Sequence, residues 1–381
     1  MALEVQALSE LAEISPQQWD AIAPVDNPFL HYHFLNGLEQ SGCVGTPQSG
    51  WIPRHIVVKD NDQIVGALPL YEKYDSYGEY IFDWSWARAA TQAGIDYYPK
   101  LVSAVPFTPA SGPRLLVDAS QNQEHIHSAL LSGLASVYEQ TNASSIHILF
   151  HQEDEQVPFE KVGLAPRLSH QFHWLRREGW TSFDDYLGSM RSNKRKQVRK
   201  ERRQAQGHGL KLEMIHGESL NDEQWQALYH FYRRTCHFKG AIPYLNEPFF
   251  EYIRKHMASS AMASIATRGQ TTVAGSLFFK GGENLFGRYW GCLEDYKQLH
   301  FELCYYLPIE WSFQNGVTRI EAGAQGQHKI ARGFDASFCH SSHHMKHGGF
   351  WDAIQRFLKE ESESVRQEVT YYRGHSSFKT K

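Results

Sequence analysis

Short apolar stretches separated by polar turns follow one another along the first half of the chain. Stretches at 52–59 and 63–71 and an aromatic stretch at 79–86 predict three strands. The periodicity of 121–140 predicts a helix, and the apolar run 145–150 (SIHILF) predicts a buried strand after it. The pattern therefore indicates a mixed α/β unit that contains antiparallel strand pairs.

Prolines mark two further boundaries in this half. Ser15-Pro16 is typical of a helix start, with serine as N-cap and proline at the first helical position. Segment 101–117 contains VPFTPASGPRLLV, whose three prolines exclude a helix. We expect a shaped loop there that leads into a strand.

The second half repeats the same order of elements. Its patterns predict, in chain order, a strand near 210–215, helices near 221–237 and 246–257, strands near 261–267, 271–280 and 284–291, a helix at 299–315, a strand at 318–323 and a last helix at 350–366.

Two segments, 62–86 and 270–295, also resemble each other. VGAL at 65–68 corresponds to AGSL at 274–277, and each is followed by a turn and an aromatic strand that ends in tryptophan. The matching order of elements favours a duplication. We therefore expect two domains, 1–172 and 173–381, the second including a basic helix at 190–206.

The composition narrows the classes of protein that the chain can belong to. Hydrophobic residues make up 41% of the chain, which is enough for two cores and excludes a disordered protein. The sequence contains no apolar run of the length that a membrane span needs, and its first twenty residues lack the pattern of a cleaved signal peptide. Five scattered cysteines without a CxxC pair predict reduced thiols in a cytoplasmic protein.

The charge is concentrated in one basic segment. The formal net charge is −4, but the region 176–211 carries +7 and the remainder −11. Within RSNKRKQVRKERR (191–203), four cations share one helical stripe because they are spaced i, i+3, i+4, i+7: Lys196, Arg199, Lys200 and Arg203. This stripe is either a solvated helix face or a binding surface for phosphates on a substrate, a nucleic acid or an anionic membrane.

The segment from Arg288 onward contains most of the candidate site residues. A strand is expected to end at Trp290-Gly291, and a helix to begin near His300 after a short loop. Free N–H groups at such a helix start can hold a phosphate. His300 and Glu302 lie in the first turn, where Glu302 can also complement the helix dipole.

The next predicted strand brings Glu321 to its end, before a glycine-containing loop. Because buried carboxylates are rare without a function or a partner, Glu321 is our first choice of general base, with His300 and Glu302 as the next candidates. The predicted contacts to the substrates, beside the basic stripe, are Tyr289, Trp290, Gln325, His328, Lys329 and Arg332. Cys304, Tyr305 and Tyr306 have the positions of helix core residues.

Four histidines form a separate cluster, at His340, His343, His344 and His347. On a helix their spacing would give one metal-binding stripe, whereas on a strand His343 and His347 would share one face and His344 the other. Neither a carboxylate nor a CxxC pair accompanies them. We therefore expect no metal and a structural role for this cluster.

Four motifs carry a resemblance to a known family. They are VPFTPASGPRLL (105–116), RSNKRKQVRKERR (191–203), YWGC with LHFELCYY (289–306) and EAGAQGQHKIARGF (321–334). The order of elements resembles a GNAT-type acyltransferase, and its doubling resembles the Fem-type aminoacyltransferases of peptidoglycan bridge synthesis. Over its length the chain is most similar to the FemAB-like predicted N-acyltransferases, a group labelled peptidoglycan biosynthesis/recognition.

The resemblance implies an α/β (α+β) fold of tandem GNAT-like domains, each a mixed, mostly antiparallel sheet flanked by helices. It also implies transfer of an acyl group to an amine, with acyl-CoA or aminoacyl-tRNA as co-substrate. The usual acyl-CoA loop of GNAT enzymes, Q/R-x-x-G-x-G/A, is replaced here by LEDYKQLHF at 293–301, which has no glycine. Fem-type relatives use aminoacyl-tRNA, which would give the basic helix a partner.

Three functions follow as hypotheses. The first is an N-acyltransferase that uses a thioester or ester donor, and its acceptor amine can belong to a peptidoglycan precursor, a lipid or a protein. The second is an aminoacyl-tRNA-dependent transferase. The third is a binder of cell-wall precursor or anionic lipid without catalysis.

Overall fold

The computed structural model describes residues 3–323 and 326–379. The strands in this part are β1 (Glu4–Leu8), β2 (Trp51–Pro53), β3 (His55–Asp60), β4 (Gln63–Leu68), β5 (Tyr71–Lys73), β6 (Lys100–Ser103), β7 (Leu116–Val117), β8 (Ser145–His151), β9 (Ala165–Leu175), β10 (Lys211–His216), β11 (Ala261–Arg268), β12 (Thr271–Gly281), β13 (Asn284–Cys292), β14 (Arg319–Glu321) and β15 (Asp335–Met345).

The α-helices are α1 (Pro16–Asp20), α2 (Tyr32–Gln40), α3 (Trp84–Gln92), α4 (Gln123–Thr141), α5 (Gln156–Lys161), α6 (Phe183–Ser189), α7 (Ser192–Gln206), α8 (Asp222–Phe238), α9 (Glu247–His256), α10 (Leu299–Phe301), α11 (Leu307–Gln314) and α12 (Gly348–Gly374). A π-helical turn, Glu302–Tyr306, joins α10 to α11, and a 3₁₀ helix spans Gln327–Arg332. Within the described residues, none of these helices is both long and apolar enough to cross a membrane.

The chain divides into two compact units. The first contains the chain up to Pro24 with Phe29–His170 and Phe338–Glu368, and the second contains Val25–Pro28, Gln171–Ser337 and the chain from Val369 onward. This division differs from the sequence-based one, because 338–368 belongs to the first unit. The physical reason is that β15 pairs with β8 and that α12 packs its apolar side chains around Trp86.

The first unit contains two groups of paired strands. One is antiparallel throughout, in the order β1-β3-β4-β7, and the other has the order β15-β8-β6-β5-β2 with β6 and β8 parallel. Helix α4 covers the first group with Leu130 and Leu134 in its apolar core. Gly133 permits a close approach, because a Cβ there would lie 2.8 Å from the side chain of Ile56.

The second unit is built on the order β10-β11-β12-β13-β14-β9, antiparallel except for the β13–β14 pair. Ala266 and Ala274 on the strands pack against Leu299 and Leu303 at the start of the helical segment 299–314. This packing fixes the helix start next to the carboxyl end of β13, as the sequence predicted.

Most of the predicted elements are present, but some differ. The strands predicted at 52–59 and 63–71 are each two short strands, β2 with β3 and β4 with β5, and the two members of each pair lie in different strand groups. The aromatic strand predicted at 79–86 is wrong: 79–83 is not a strand, and Trp84 begins α3. Buried Lys100 is the cause, because Glu79 and Asp83 turn inward and both pair with its ammonium. The helix predicted at 299–315 forms, but with the π-helical turn in its middle.

Candidate functional site

In the second unit, β13 separates from β14 after three residue pairs. Asn284–Phe286 pairs in parallel with Arg319–Glu321, whereas the pairing with β12 extends along the whole of β13. Helix α8 lies directly on the carboxyl half of β13, because a Cβ at Gly291 would approach the carbonyl oxygen of Phe231 to 2.3 Å. The last residue of β14 therefore lies where the short parallel pair ends.

That residue is Glu321, whose carboxylate is buried. Its Oε1 lies 2.6 Å from a guanidinium nitrogen of Arg319, and its Oε2 lies 4.0 Å from Nε2 of His173. Among the described residues, no donor makes a hydrogen bond of regular geometry to either oxygen. Burial raises the pKa of Glu321 to about 7, against the opposing attraction of Arg319 and Arg288. A carboxylate with this pKa can accept a proton from an amine near neutral pH.

Four rings lie next to His300, and together with it they are called the His300 group: Trp290, Phe301, Tyr305 and His328. The ring of Trp290 lies 5.2 Å away and that of Tyr305 5.6 Å away, centroid to centroid. His328 lies 6.4 Å from His300, and its Nε2 forms a hydrogen bond of 3.0 Å with the Tyr305 hydroxyl. Burial, reinforced by nearby cations, lowers the pKa of His300 to about 3. His300 is therefore neutral at pH 7, and its ring is a weak base.

Lys329 acts electrostatically both on His300 and on His173, the histidine beside Glu321. Its side chain is 2% exposed, and its ammonium donates a hydrogen bond of 2.7 Å to the carbonyl of Gly323. Burial lowers the pKa of Lys329 to about 8. Burial is also the main cause of the low pKa values of His300 and His173, and the Lys329 ammonium lowers both further. Lys329 thus lies within electrostatic reach of both histidines.

Glu302 is held in an ion pair. Both its carboxylate oxygens accept hydrogen bonds from Arg202 on α7, the shortest being 2.8 Å, and Arg202 also binds Glu310 at 2.6 Å. Burial raises the pKa of Glu302 and Arg202 opposes this. This geometry favours a structural role for Glu302, which fastens α7 to the helix start.

Arg332 forms a second buried pair with α7. It donates to Glu201, with nitrogen–oxygen distances of 2.8 and 3.1 Å, and Glu201 also accepts from the hydroxyl of Tyr306. The Arg332 guanidinium lies 3.3 Å from the ring centroid of Phe301. Arg332 thus contacts the His300 group through Phe301 while its charge is neutralised by Glu201.

The predicted basic stripe on α7 is present and faces solvent. All four of its members are exposed, and within the described part of the chain none of them makes an ion pair: Lys196, Arg199, Lys200 and Arg203. The opposite side of α7 is buried through Val198, Glu201 and Ala205. The four charges are therefore available to a ligand.

One predicted contact residue, Tyr289, lies apart from the His300 group. Tyr289 packs against Tyr232 and Phe250, with ring centroids 4.8 and 6.0 Å away. Gln325 lies outside the described residues.

The histidine cluster lies on β15, so the strand alternative is confirmed for its first three members. His343 is buried and its Nδ1 lies 2.8 Å from Nδ1 of His147, while His147 and His343 each bind a serine hydroxyl through Nε2. Burial lowers the pKa of His147 to about 3. Within residues 3–323 and 326–379, no group of three or more histidine, cysteine, aspartate or glutamate side chains is placed to hold a metal ion. The absence of a metal stays a prediction.

Sequence reasoning missed His173 and Arg319 beside Glu321, and Glu201 and Arg202 on the inner side of α7. Arg319 lies two residues before Glu321, and i, i+2 residues on a strand share a face, so its proximity could have been predicted. Glu201 and Arg202 follow Val198 at i+3 and i+4, which also indicates the buried side of the helix. His173 could not be found in this way, because β9 pairs with β14 across almost 150 residues.

Comparisons with known proteins agree with this architecture. Residues 10–380 match the model of the FemAB-like family, described as peptidoglycan biosynthesis/recognition. FemX matches in structure with a TM-score of 0.53 and 12% identity, over 90% of this chain and 98% of that one. L-PGS from Bacillus licheniformis matches with a TM-score of 0.50 and 9% identity, over 84% of this chain and 95% of that one.

A tandem GNAT protein from the clavulanic acid biosynthesis pathway matches with a TM-score of 0.45 and 13% identity, over 90% of this chain and 98% of that one. No curated protein sequence matches this chain. The likeness to FemX and the family match bear out the predicted tandem GNAT-like fold.

Proposed function

Because this chain belongs to the FemAB-like family, we propose that it is an N-acyltransferase that moves an acyl group from a thioester or ester to an amine. Family and fold support a transferase. The nature of the donor and of the acceptor is our inference from the chemistry of the second unit. The observation that carries it is the buried Glu321 carboxylate, whose pKa of about 7 suits the deprotonation of an amine.

In the proposed reaction, Glu321 accepts a proton from the acceptor amine, and the amine nitrogen attacks the acyl carbonyl carbon. The tetrahedral intermediate carries a negative oxygen, and Lys329 supplies positive charge near it. Collapse breaks the bond between the carbonyl carbon and the thiol sulfur or alcohol oxygen. The proton held by Glu321 then passes to this leaving group, which restores the carboxylate.

The other two candidate bases fit this step less well. A pKa of about 3 makes His300 a weak acceptor of protons at neutral pH, so we assign its ring and that of Trp290 to contacts with the substrate. Glu302 uses both oxygens to bind Arg202. Glu321 is therefore the base in this proposal.

The basic stripe on α7 is proposed to hold the phosphates of a co-substrate. Four exposed cations without ion-pair partners in the described chain suit a diphosphate, such as that of CoA or of a lipid-linked precursor. An aminoacyl-tRNA is the second candidate, because the glycine-containing loop of acyl-CoA enzymes is missing at 293–301. We rank the small diphosphate first, because four charges on one stripe are few for a tRNA and the residues outside 176–211 carry a net charge of −11.

The experiment that tests the proposal has two stages. Mass spectrometry of small molecules that copurify with the protein would identify a bound CoA, acyl chain or muropeptide. The purified protein is then given labelled acyl-CoA or labelled aminoacyl-tRNA with amine acceptors, alongside Glu321→Gln. Label transferred to an amine by the wild type alone supports the proposal, whereas no transfer from either donor, with ligands bound but unchanged, indicates the non-catalytic binder.

A further inference from the structure

A small loop in the second unit exposes apolar side chains to solvent. We call residues 237–243, the end of α8 and the first part of the segment that leads to α9, the apolar loop. Phe238 is 90% exposed and Ile242 is 68% exposed. Exposing two large apolar side chains on one short loop is unfavourable in water, so a partner that covers them would stabilise the exposed loop.

The apolar loop has a defined shape. Its amide at Gly240 donates to the carbonyl of His237 at 3.0 Å, and that at Ala241 donates to Cys236 at 2.9 Å. Gly240 has a φ of +62°, a conformation that favours glycine and turns the chain after α8. The exposure of Phe238 and Ile242 is thus a consequence of an ordered turn.

Basic residues precede the apolar loop on α8 and continue into it. His230, Arg233, Arg234 and His237 are spaced i, i+3, i+4, i+7 along the exposed side of α8, and Lys239 follows in the loop itself. Residues 224–246 contain neither aspartate nor glutamate. Within the described chain, the three full cations here, Arg233, Arg234 and Lys239, make no ion pair.

We infer that the apolar loop inserts Phe238 and Ile242 into the surface of an anionic lipid bilayer, with Arg233, Arg234 and Lys239 at the headgroups. The apolar side chains suit the acyl-chain region of the bilayer, and the neighbouring cations suit its anionic headgroups. Two apolar side chains cover much less area than a stable protein–protein interface buries, so a bilayer fits better than a protein partner.

The membrane contact has a consequence for the proposed function. After burial, nearby cations that include Lys239 lower the pKa of His300, so the loop lies within electrostatic reach of the His300 group. Binding to a bilayer would bring this group close to amphiphilic substrates. That consequence rests on the proposed acyltransferase, whereas the membrane contact itself does not.

Vesicle sedimentation tests the inference with the whole 381-residue chain. Wild type is mixed with phosphatidylcholine vesicles and with vesicles that also contain phosphatidylglycerol. We expect binding to the anionic vesicles only, and a loss of about tenfold in partitioning for the double variant Phe238→Ser, Ile242→Ser. The matched control, Val25→Ser, Val157→Ser, removes two apolar side chains that are 83% and 59% exposed elsewhere. It should bind like wild type.

A second variant removes two cations of α8 and leaves those of α7 unchanged, so that it measures the contribution of α8 to vesicle binding. Arg233→Gln, Arg234→Gln should weaken binding and reduce its dependence on salt. Equal binding by the loop variant and wild type, or no sedimentation of wild type, would overturn the inference. So would a loop variant that changes the oligomeric state in gel filtration without changing vesicle binding. Transfer to a water-soluble amine, assayed without vesicles, reports on the acyltransferase independently.

Discussion

At the scale of single residues, burial decides the chemistry of the titratable groups. Glu321 and Lys329 are both buried. Burial raises the pKa of Glu321 to about 7 and lowers the pKa of Lys329 to about 8. Burial penalises the charged form of each group, which is why a carboxylate becomes a better base and an ammonium a better acid.

The first prediction concerns Glu321. Glu321→Gln keeps the side-chain shape but cannot accept a proton, so we expect transfer to fall by about 10²–10⁴-fold with the fold retained. For wild type, kcat/KM should rise with pH through about 7 as the carboxylate ionises, and the variant should lose this rise. Glu283→Gln, at an exposed glutamate before β13, is the control. Near-normal turnover in Glu321→Gln would show that the residue is structural.

The second prediction concerns the buried pair His147 and His343. Burial, as the main cause, lowers the pKa of each, to about 3 for His147, while the unfolded chain titrates near 6.5. Below pH 6.5 the unfolded state therefore binds protons that the folded state excludes, and stability falls as the pH drops toward 3.

Urea unfolding at several pH values measures this effect. His147→Gln, His343→Gln should be less stable at pH 7, because the buried hydrogen bonds are disturbed. Its loss of stability on acidification should be smaller, by up to about 1.4 kcal/mol per pH unit for each histidine removed. Parallel curves for wild type and variant would contradict the assignment.

At the scale of elements, α7 has two faces with different roles. Its inner face is fastened by Arg202 to Glu302 and by Glu201 to Arg332, and its outer face presents the basic stripe. The two buried ion pairs on one face therefore anchor the helix that carries the charges of the other face.

The third prediction concerns the inner face. Arg202→Ala leaves Glu302 buried without its partner, so we expect the free energy of unfolding to fall by about 3 kcal/mol or more. Glu302→Gln keeps an acceptor for Arg202 and should lose less stability while leaving kcat nearly unchanged. A large fall in kcat for Glu302→Gln, with stability retained, would instead make Glu302 the base.

The fourth prediction concerns the outer face. The triple variant Lys196→Gln, Arg199→Gln, Lys200→Gln should raise the KM for the phosphate-bearing co-substrate. A shallow dependence of KM on salt is expected for a small diphosphate, and a steep one, over orders of magnitude, for tRNA. The control, Lys255→Gln, Arg268→Gln, Lys280→Gln, removes the same charge elsewhere in the second unit. Unchanged KM values at two ionic strengths would contradict the docking role.

At the scale of the whole molecule, the chain leaves the second unit and returns to the first. Strand β15 and the first part of α12 complete the first unit, where β15 pairs with β8 and Ile354 and Leu358 pack with Trp86. The first unit therefore depends on residues 338–368, which follow most of the second unit in the sequence.

The fifth prediction follows from this connection. A fragment of residues 1–172 lacks β15 and α12, so β8 loses one of its two neighbouring strands and Trp86 loses part of its packing. We expect this fragment not to fold cooperatively, and we expect a fusion of 338–368 to it through a flexible linker to fold. Near-ultraviolet circular dichroism and urea unfolding measure both. Cooperative unfolding of 1–172 alone would show that the returning segment is dispensable.

The sequence alone determined those features that depend on neighbouring residues. Apolar periodicity located α4 and β8 in the first half and most strands and helices of the second half, and the i, i+3, i+4, i+7 spacing located the exposed stripe on α7. The motifs also determined the family. Local patterns sufficed here because backbone geometry repeats every two or 3.6 residues.

The tertiary structure decided what depends on residues distant in sequence. It placed His173 beside Glu321, engaged Glu302 with Arg202, and returned 338–368 to the first unit. It also replaced the strand predicted at 79–86 with an ion-pair network around Lys100 and the start of α3. For Glu302 and for Lys100 the deciding force is desolvation, because a buried charge must find its counterpart wherever the fold brings one. For His173 and for 338–368 it is the pairing of strands that are distant in sequence. Local periodicity contains no information on either choice.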